Sequence, residues 1–379
     1  MTRPLISPHD QSATFVELFF DLVFVFAITK VVYLLHHDLT WTWAGHAILV
    51  FWLVWWAWTQ FTWALNAADT EHPSVQFGTL LATAVGFFMA IGVPHAFDEG
   101  GALWFAGPYV AVRIIGLTLY LGVMREDPEA RKSVMAFALA SSGGLIAVLM
   151  GGFSQGSQEM FWLLVIVLDF VAATVAGNGG ATWRIHAEHF AERHGLIVII
   201  ALGESLIAAA GPLVDAGHSS PVLIVGFLSV SITCALWWTY FPVAKPELEH
   251  ALASAPQEAR APIARDSFSF GHFPMLCGVI AYATAIEAAV AHPTDPLGNA
   301  ERLALALGLL LFVGGLAFAL MRASCSVKWT RVGVTAATAI AIYFLTGVPA
   351  TVSLGVAFAG VVIVAFLEER QAERMHQAA

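Results

Sequence analysis

Residues 15–35 read FVELFFDLVFVFAITKVVYLL, an apolar run that carries two acids, Glu17 and Asp21, and one lysine, Lys30. About twenty predominantly apolar residues are what a helix needs to cross a bilayer. The residues before the run, MTRPLISPHDQSAT, hold one arginine and no apolar core, and the run itself is interrupted by charge. A secretory leader has an apolar core of about 7–15 residues without such charges, so this stretch reads as a membrane span.

Runs of the same kind recur to the C-terminus. Of 379 residues, 58% are hydrophobic and 12% charged, against roughly 25% charged in soluble proteins. So few charges cannot cover a water-facing surface, and lipid must be the main solvent. The expected fold is an all-α polytopic membrane protein, a single membrane domain over residues 1–379. Its spans lie near 16–35, 43–65, 74–97, 102–124, 133–152, 159–179, 195–214, 219–242, 273–291, 302–321, 332–347 and 349–367. Gly347 and Pro349 mark either a turn between the last two or a kink within one.

Lysine and arginine accumulate in cytoplasmic loops. With twelve spans, Arg3, Arg125, Arg131, Lys132, Arg184, Arg193, Lys245, Arg260, Arg265, Arg322, Lys328, Arg331, Arg370 and Arg374 share the N-terminal side, which is 14 of the 17 basic residues. Lys30 and Arg113 lie inside spans, leaving Arg302 for the other side. Both termini are therefore expected in the cytoplasm. The net charge of −10 argues against nucleic acid or a polybasic lipid anchor. Cys234, Cys277 and Cys325 have no CxxC spacing, so neither a disulfide framework nor a cysteine metal site is indicated.

An internal duplication is legible. FVELFFDLVFVFAIT (Phe15–Thr29) is echoed by FAERHGLIVIIALGE (Phe190–Glu204), WWAWTQF at Trp55 by WWTYF at Trp237, and Phe77-Gly78 by Phe270-Gly271. The offsets only increase along the chain. Two repeats follow, 15–179 and 190–367. Six spans in each keep them parallel, related by an axis along the membrane normal.

Charged groups inside a bilayer cost at least about 2.5–3.5 kcal/mol on insertion scales, so they are functional candidates. Asp21, Asp169, Glu204 and Glu287 face only Lys30 and Arg113. An acid without a counter-charge must be protonated or neutralised by a bound cation. Glu17 and Asp21, at i and i+4, share a helix face. Glu204 falls near the midplane between Gly203 and Ser205, small residues that let a neighbouring helix approach. It is the expected carrier of a coupling proton or cation, with Arg113 as counter-charge. The alternative is a static bundle in which these acids bond Arg113, serines and backbone. HAEHFAERH (His186–His194) gathers His189, Glu192, Arg193 and His194 near the cytoplasmic surface as a candidate gate of ion pairs. Its spacing does not match the HExxH or HxxEH of zinc enzymes, and no metal site is assigned. Trp52, Trp55, Trp56, Thr59, Gln60 and Trp63 fall on one side of the second span, where an interfacial belt or packing is the expected role.

ELFFDLVFVFA (Glu17–Ala27), HFAERHGLIVIIALGES (His189–Ser205) and FSFGHFPMLCGVIAYATAIE (Phe268–Glu287) together resemble the bacterial low temperature requirement A family of membrane proteins. The first motif is complete; the third opens on Phe where a Tyr is expected. The resemblance implies a bacterial cytoplasmic (inner) membrane location. It carries over Glu17, Asp21, Glu192, Arg193, His194, Gly203, Glu204, His272 and Glu287 as functional or architectural positions, with no cofactor and no mechanism.

Three functions compete. A proton- or cation-coupled secondary transporter of a small cation or metabolite leads, on the repeat, the intramembrane acids and the absence of a GxxxxGK[ST] phosphate loop. A non-transporting sensor or assembly protein for cold growth is second. A membrane-embedded enzyme acting on a lipid-soluble substrate is third, with no nucleophile–base or metal signature behind it. Membrane lipid is the one expected partner in every case.

Overall fold

A computed structural model describes residues 5–7, 11–36, 39–154, 156–178, 183–215, 219–325 and 328–378. Arg3 lies outside these residues, as do the side chains of Arg370 and Arg374. The described chain is helical from end to end. Its long helices are α1 (Phe15–His36), α2 (Trp41–Ala67), α3 (Pro73–His95), α4 (Ala102–Glu126), α5 (Pro128–Phe153), α6 (Gln158–Asn178), α7 (Ala187–Asp215), α8 (Ser220–Ser254), α9 (Gln257–Ala291), α10 (Asn299–Ser324), α11 (Trp329–Phe344) and α12 (Ala350–Ala378). Among the described residues, 10 helices are long and apolar enough to cross a membrane. The other two are α6 and α11. At 16 residues, α11 reaches about 24 Å at ~1.5 Å per residue, short of the roughly 30 Å hydrocarbon core.

Helix ends follow local chemistry. Thr14 and Glu17 form a capping box at α1: both the backbone N–H and the hydroxyl of Thr14 donate to Glu17 Oε2 at 2.9 Å, satisfying a donor the first turn leaves open. Asp127 caps α5 ahead of Pro128 and accepts from Ala130 N at 3.2 Å. That hydrogen bond, joined by Arg184 at 3.1 Å, holds the Asp127 carboxyl below its usual range. Between α11 and α12 the chain turns rather than kinks. Gly347 has φ 72°, a left-handed conformation that glycine adopts without strain, and Pro349 bridges to Pro296. The open choice at this point resolves to two helices.

The chain divides into two compact units, Met1–Arg193 with Leu252–Arg265, and His194–Ala251 with Asp266–Ala379. In the first, α3 packs on α4, α4 on α5 and α5 on α6, while α2 lies against α1, α4 and α6, and α1 against α3. In the second, α9 packs on α10, α10 on α11 and α11 on α12, while α8 lies against α9, α10 and α12.

The α9–α10 crossing depends on glycine. A Cβ at Gly278 would sit 2.6 Å from both Gly308 O and Phe312 N, and one at Gly308 would sit 2.9 Å from Gly278 O. Small residues are what let membrane helices approach so closely. Gly203 does not play that part, since a Cβ there would meet nothing within 4 Å among the described residues; the neighbouring helix approaches beside Glu204 at Ser205 instead, 3.0 Å from Thr233. Of the two roles expected for the tryptophans of α2, belt or packing, burial favours packing. Trp52, Trp55, Trp56 and Trp58 are buried, because a helix with neighbours on several sides presents little of itself to the lipid interface.

Candidate functional site

The first unit holds two buried polar clusters. One joins the foot of α1 to the first turns of α7. His189 Nε2 lies 3.0 Å from Glu17 Oε1 and 3.3 Å from Oε2. Arg193 Nη2 donates to Asp21 Oδ1 at 2.8 Å, and its Nη1 lies 3.6 Å from Glu17 Oε1. All four side chains are fully buried. Residues at i and i+4 share a helix face, and here two such pairs meet rung to rung, Glu17 with His189 and Asp21 with Arg193. The two helices therefore start side by side in the same direction. Glu192 reaches back, its Oε2 accepting from Ala13 N at 2.8 Å.

Helix α2 supplies what charge patterning could not show. Trp58 Nε1 donates to Asp21 Oδ1 at 2.8 Å, and its ring lies 5.7 Å from the Arg193 guanidinium carbon, within cation–π range. Asn66 Nδ2 donates to His186 O at 2.9 Å and lies 3.0 Å from His189 Nδ1, while Asn66 Oδ1 accepts from His186 N at 2.9 Å. The N-terminal segment closes over this end. Ile6 bridges Ala68, and Gln11 donates to Leu65 O and Ala68 O.

The second cluster lies between α2, α4 and α6. Arg113 Nη1 donates to the Tyr109 hydroxyl at 2.6 Å and lies 3.6 Å from Asp169 Oδ1. Gln60 accepts from Arg113 Nε and donates to Arg113 O at 2.9 Å. Trp52 Nε1 donates to Asp169 Oδ2 at 3.1 Å. Gly116 makes room for this contact, since a Cβ there would sit 2.4 Å from Gln60 Nε2. One acid and one guanidinium balance here.

The remaining candidates belong to the second unit. His272, on α9, donates from Nδ1 to Ser267 O at 3.1 Å and accepts at Nε2 from the Tyr240 hydroxyl at 2.8 Å. Its ring is stacked on Phe268 and edge-on to His194. Two π-helical segments, Tyr240–Ala244 and Ala264–Phe270, set up this contact; such bulges are frequent at functional sites. Beside Glu204, which is buried, Ser205 bonds Thr233 at 3.0 Å, and Thr233 bonds the Tyr282 hydroxyl at 3.2 Å. Glu287 is half-buried on α9. Lys30 does not face the acids of its own helix; its ammonium lies 4.9 Å from the Phe26 ring. No three His, Cys, Asp or Glu side chains group as metal ligands among the described residues.

Sequence reasoning singled out Glu17, Asp21, His189 and Arg193 in two separate contexts, and the structure brings them into one cluster. It named Trp52 and Gln60 only as part of one side of the second span, and it missed Trp58, Asn66 and Tyr109. The one available signal was the TxxE capping box at Thr14–Glu17, which fixes where α1 begins.

Comparison with known proteins agrees with the motifs. An uncharacterized protein of Rhizobium meliloti is 31% identical over 324 residues, covering 81% of this chain and 76% of its own length. No solved structure matches. Residues 12–366 match the family described as bacterial low temperature requirement A protein. The chain is a multi-pass helical membrane protein of the bacterial low temperature requirement A family.

Proposed function

We propose that this protein is a proton- or cation-coupled secondary transporter of the bacterial cytoplasmic membrane, moving a small cation or metabolite. The observation that carries the reading is a charge count. Glu17 and Asp21 are buried against a single guanidinium, Arg193, and the remaining partner, His189, has its Nδ1 facing the Asn66 amide group. Desolvated charge in excess is costly unless it is paired or exchanged with a mobile ion. Arg113 is taken up by Asp169 and does not serve these acids. Exposed phenylalanines such as Phe77, Phe88 and Phe227 suit a surface wetted by lipid.

Reconstituted into vesicles, the protein should dissipate an imposed proton or cation gradient when its substrate is supplied, read by an internal pH dye across a panel of inorganic cations and small metabolites. Glu204→Gln keeps size and hydrogen bonding but removes titration; it should fold and lose at least tenfold of that flux. Gradients that persist across the whole panel would remove the transport reading.

The two six-helix repeats and the cytoplasmic placement of both termini belong to the same proposal. The order of helix packing supports duplication: the pairings α3–α4, α4–α5, α5–α6, α2–α6 and α2–α4 recur as α9–α10, α10–α11, α11–α12, α8–α12 and α8–α10. Cysteines placed at Arg125, Arg184, Lys245 and Lys328 should resist impermeant thiol reagents in intact cells. Labelling at Arg184 from outside would overturn the orientation.

A further inference from the structure

We infer that the cluster at the foot of α1 and α7 is a proton-binding site in which Asp21 takes the proton at Oδ2, while Asn66 keeps His189 neutral. As the coupling site of a transporter this rests on the reading above; as a proton site it stands on the hydrogen bonds alone.

Asn66 is fixed in orientation, because its amide N–H meets the His186 carbonyl while its oxygen meets the His186 N–H, at 2.9 Å each. An amide turned over would place donor against donor and acceptor against acceptor. The group facing His189 Nδ1 is therefore an N–H, and Nδ1 must accept. The single imidazole proton is then on Nε2, where Glu17 receives it. A second proton on Nδ1 would require Asn66 to release His186. His189 thus contributes no charge, and two carboxylates stand against one guanidinium.

The two acids are served differently. Glu17 Oε2 accepts both donors of Thr14 and that of His189; Oε1 makes no hydrogen bond among the described residues but lies within ion-pair distance of His189 and Arg193, at 3.0 and 3.6 Å. Asp21 Oδ1 accepts from Trp58 and Arg193, but Oδ2 is buried and has no hydrogen-bond partner among the described residues. The missing positive charge belongs at Oδ2. A metal ion would need a shell of several oxygen ligands and would sit beside the Arg193 cation, whereas a proton needs one oxygen and no shell.

Among the described residues the surroundings supply no competing group. Glu17 faces Asp21 from its own helix, and His189 and Arg193 face it from α7. Helix α2 offers Trp58 and Asn66, with its only histidine, His46, bonded to Glu159 at 2.6 Å. Helix α3 carries no titratable side chain between His72 and His95.

Infrared difference spectroscopy on the full-length protein in lipid nanodiscs, taken between acid and alkaline buffer, reads the carbonyl stretch of a protonated carboxyl directly. A pH-dependent band should appear that shifts when aspartate, and not glutamate, is carbon-13 labelled, and that is lost in Asp21→Asn. In the unmodified protein, nitrogen-15 histidine spectra should hold His189 as the neutral Nε2–H form across about pH 5 to 8, where an ordinary histidine gains its charge. In Asn66→Leu, His189 should instead titrate. A band that follows the glutamate label, a band that persists in Asp21→Asn, or an imidazolium signal from His189 in the unmodified protein would overturn the assignment. Coupled flux driven by sodium or potassium without the aspartate band would sink this inference and leave transport standing. The band without any coupled flux would leave the proton site and remove the transporter.

Discussion

Arg193→Met is expected to yield little folded protein. The substitution leaves Glu17 and Asp21 fully buried with no guanidinium between them, and removing one partner of a buried ion pair costs about 3–5 kcal/mol because the other charge stays desolvated. A folded domain holds only roughly 5–15 kcal/mol in reserve. The loss should appear as aggregation on detergent extraction and a lowered melting temperature in whatever fraction survives. At alkaline pH, where Asp21 has lost its proton, adding Asp21→Asn to the same chain removes the charge that Arg193 held most closely, at 2.8 Å. Glu17 keeps its Thr14 and His189 contacts. The double variant should therefore recover most of the lost stability. If Arg193→Met melts within about 1 kcal/mol of the unmodified protein, the spread seen for exposed pairs, the guanidinium is not holding these acids in place.

Gly278→Leu should be comparably damaging for a steric reason. The contacts that even a Cβ would make, at 2.6 Å to Gly308 O and Phe312 N, are to backbone atoms, which cannot swing aside as a side-chain tip can. Helices α9 and α10 would have to separate, and the nearby approach of Gly315 to Gly271 O would open with them. Overpacking of this kind costs typically about 1–3 kcal/mol and occasionally more. Gly278→Ala should fall measurably below the unmodified protein in melting temperature. Gly314→Ala, where a Cβ meets nothing within 4 Å, should not. Equal melting of the two alanine variants would show that the crossing is looser than described.

These two expectations separate what is written locally from what is not. That the chain crosses membranes as helices follows from composition and run length, because transfer into lipid is a sum over residues and needs no partner. The place where α1 begins is likewise local, since Thr14 and Glu17 cap it with atoms three residues apart. The shared face of Glu17 and Asp21 follows from helical periodicity. Whether the α2 tryptophans form a belt or pack inside was left open for the complementary reason: an indole looks the same in sequence whether it meets headgroups or, like Trp58, donates to a buried carboxylate.

Pairing was decided by tertiary structure. Four acids and two cations can be read off the apolar runs, but not that Arg113 goes to Asp169 or that Lys30 stays with Phe26. Nor could the sequence show that the balance at Glu17 and Asp21 would be set by Arg193, 172 residues away from Asp21. Asn66, an uncharged residue at the end of an apolar helix, carries no signal of its own, yet its two bonds to His186 dictate which nitrogen of His189 holds the proton. Hydropathy and periodicity are properties of one helix at a time. The charge state of a buried cluster is a property of which helices are neighbours, and only the folded chain chooses those.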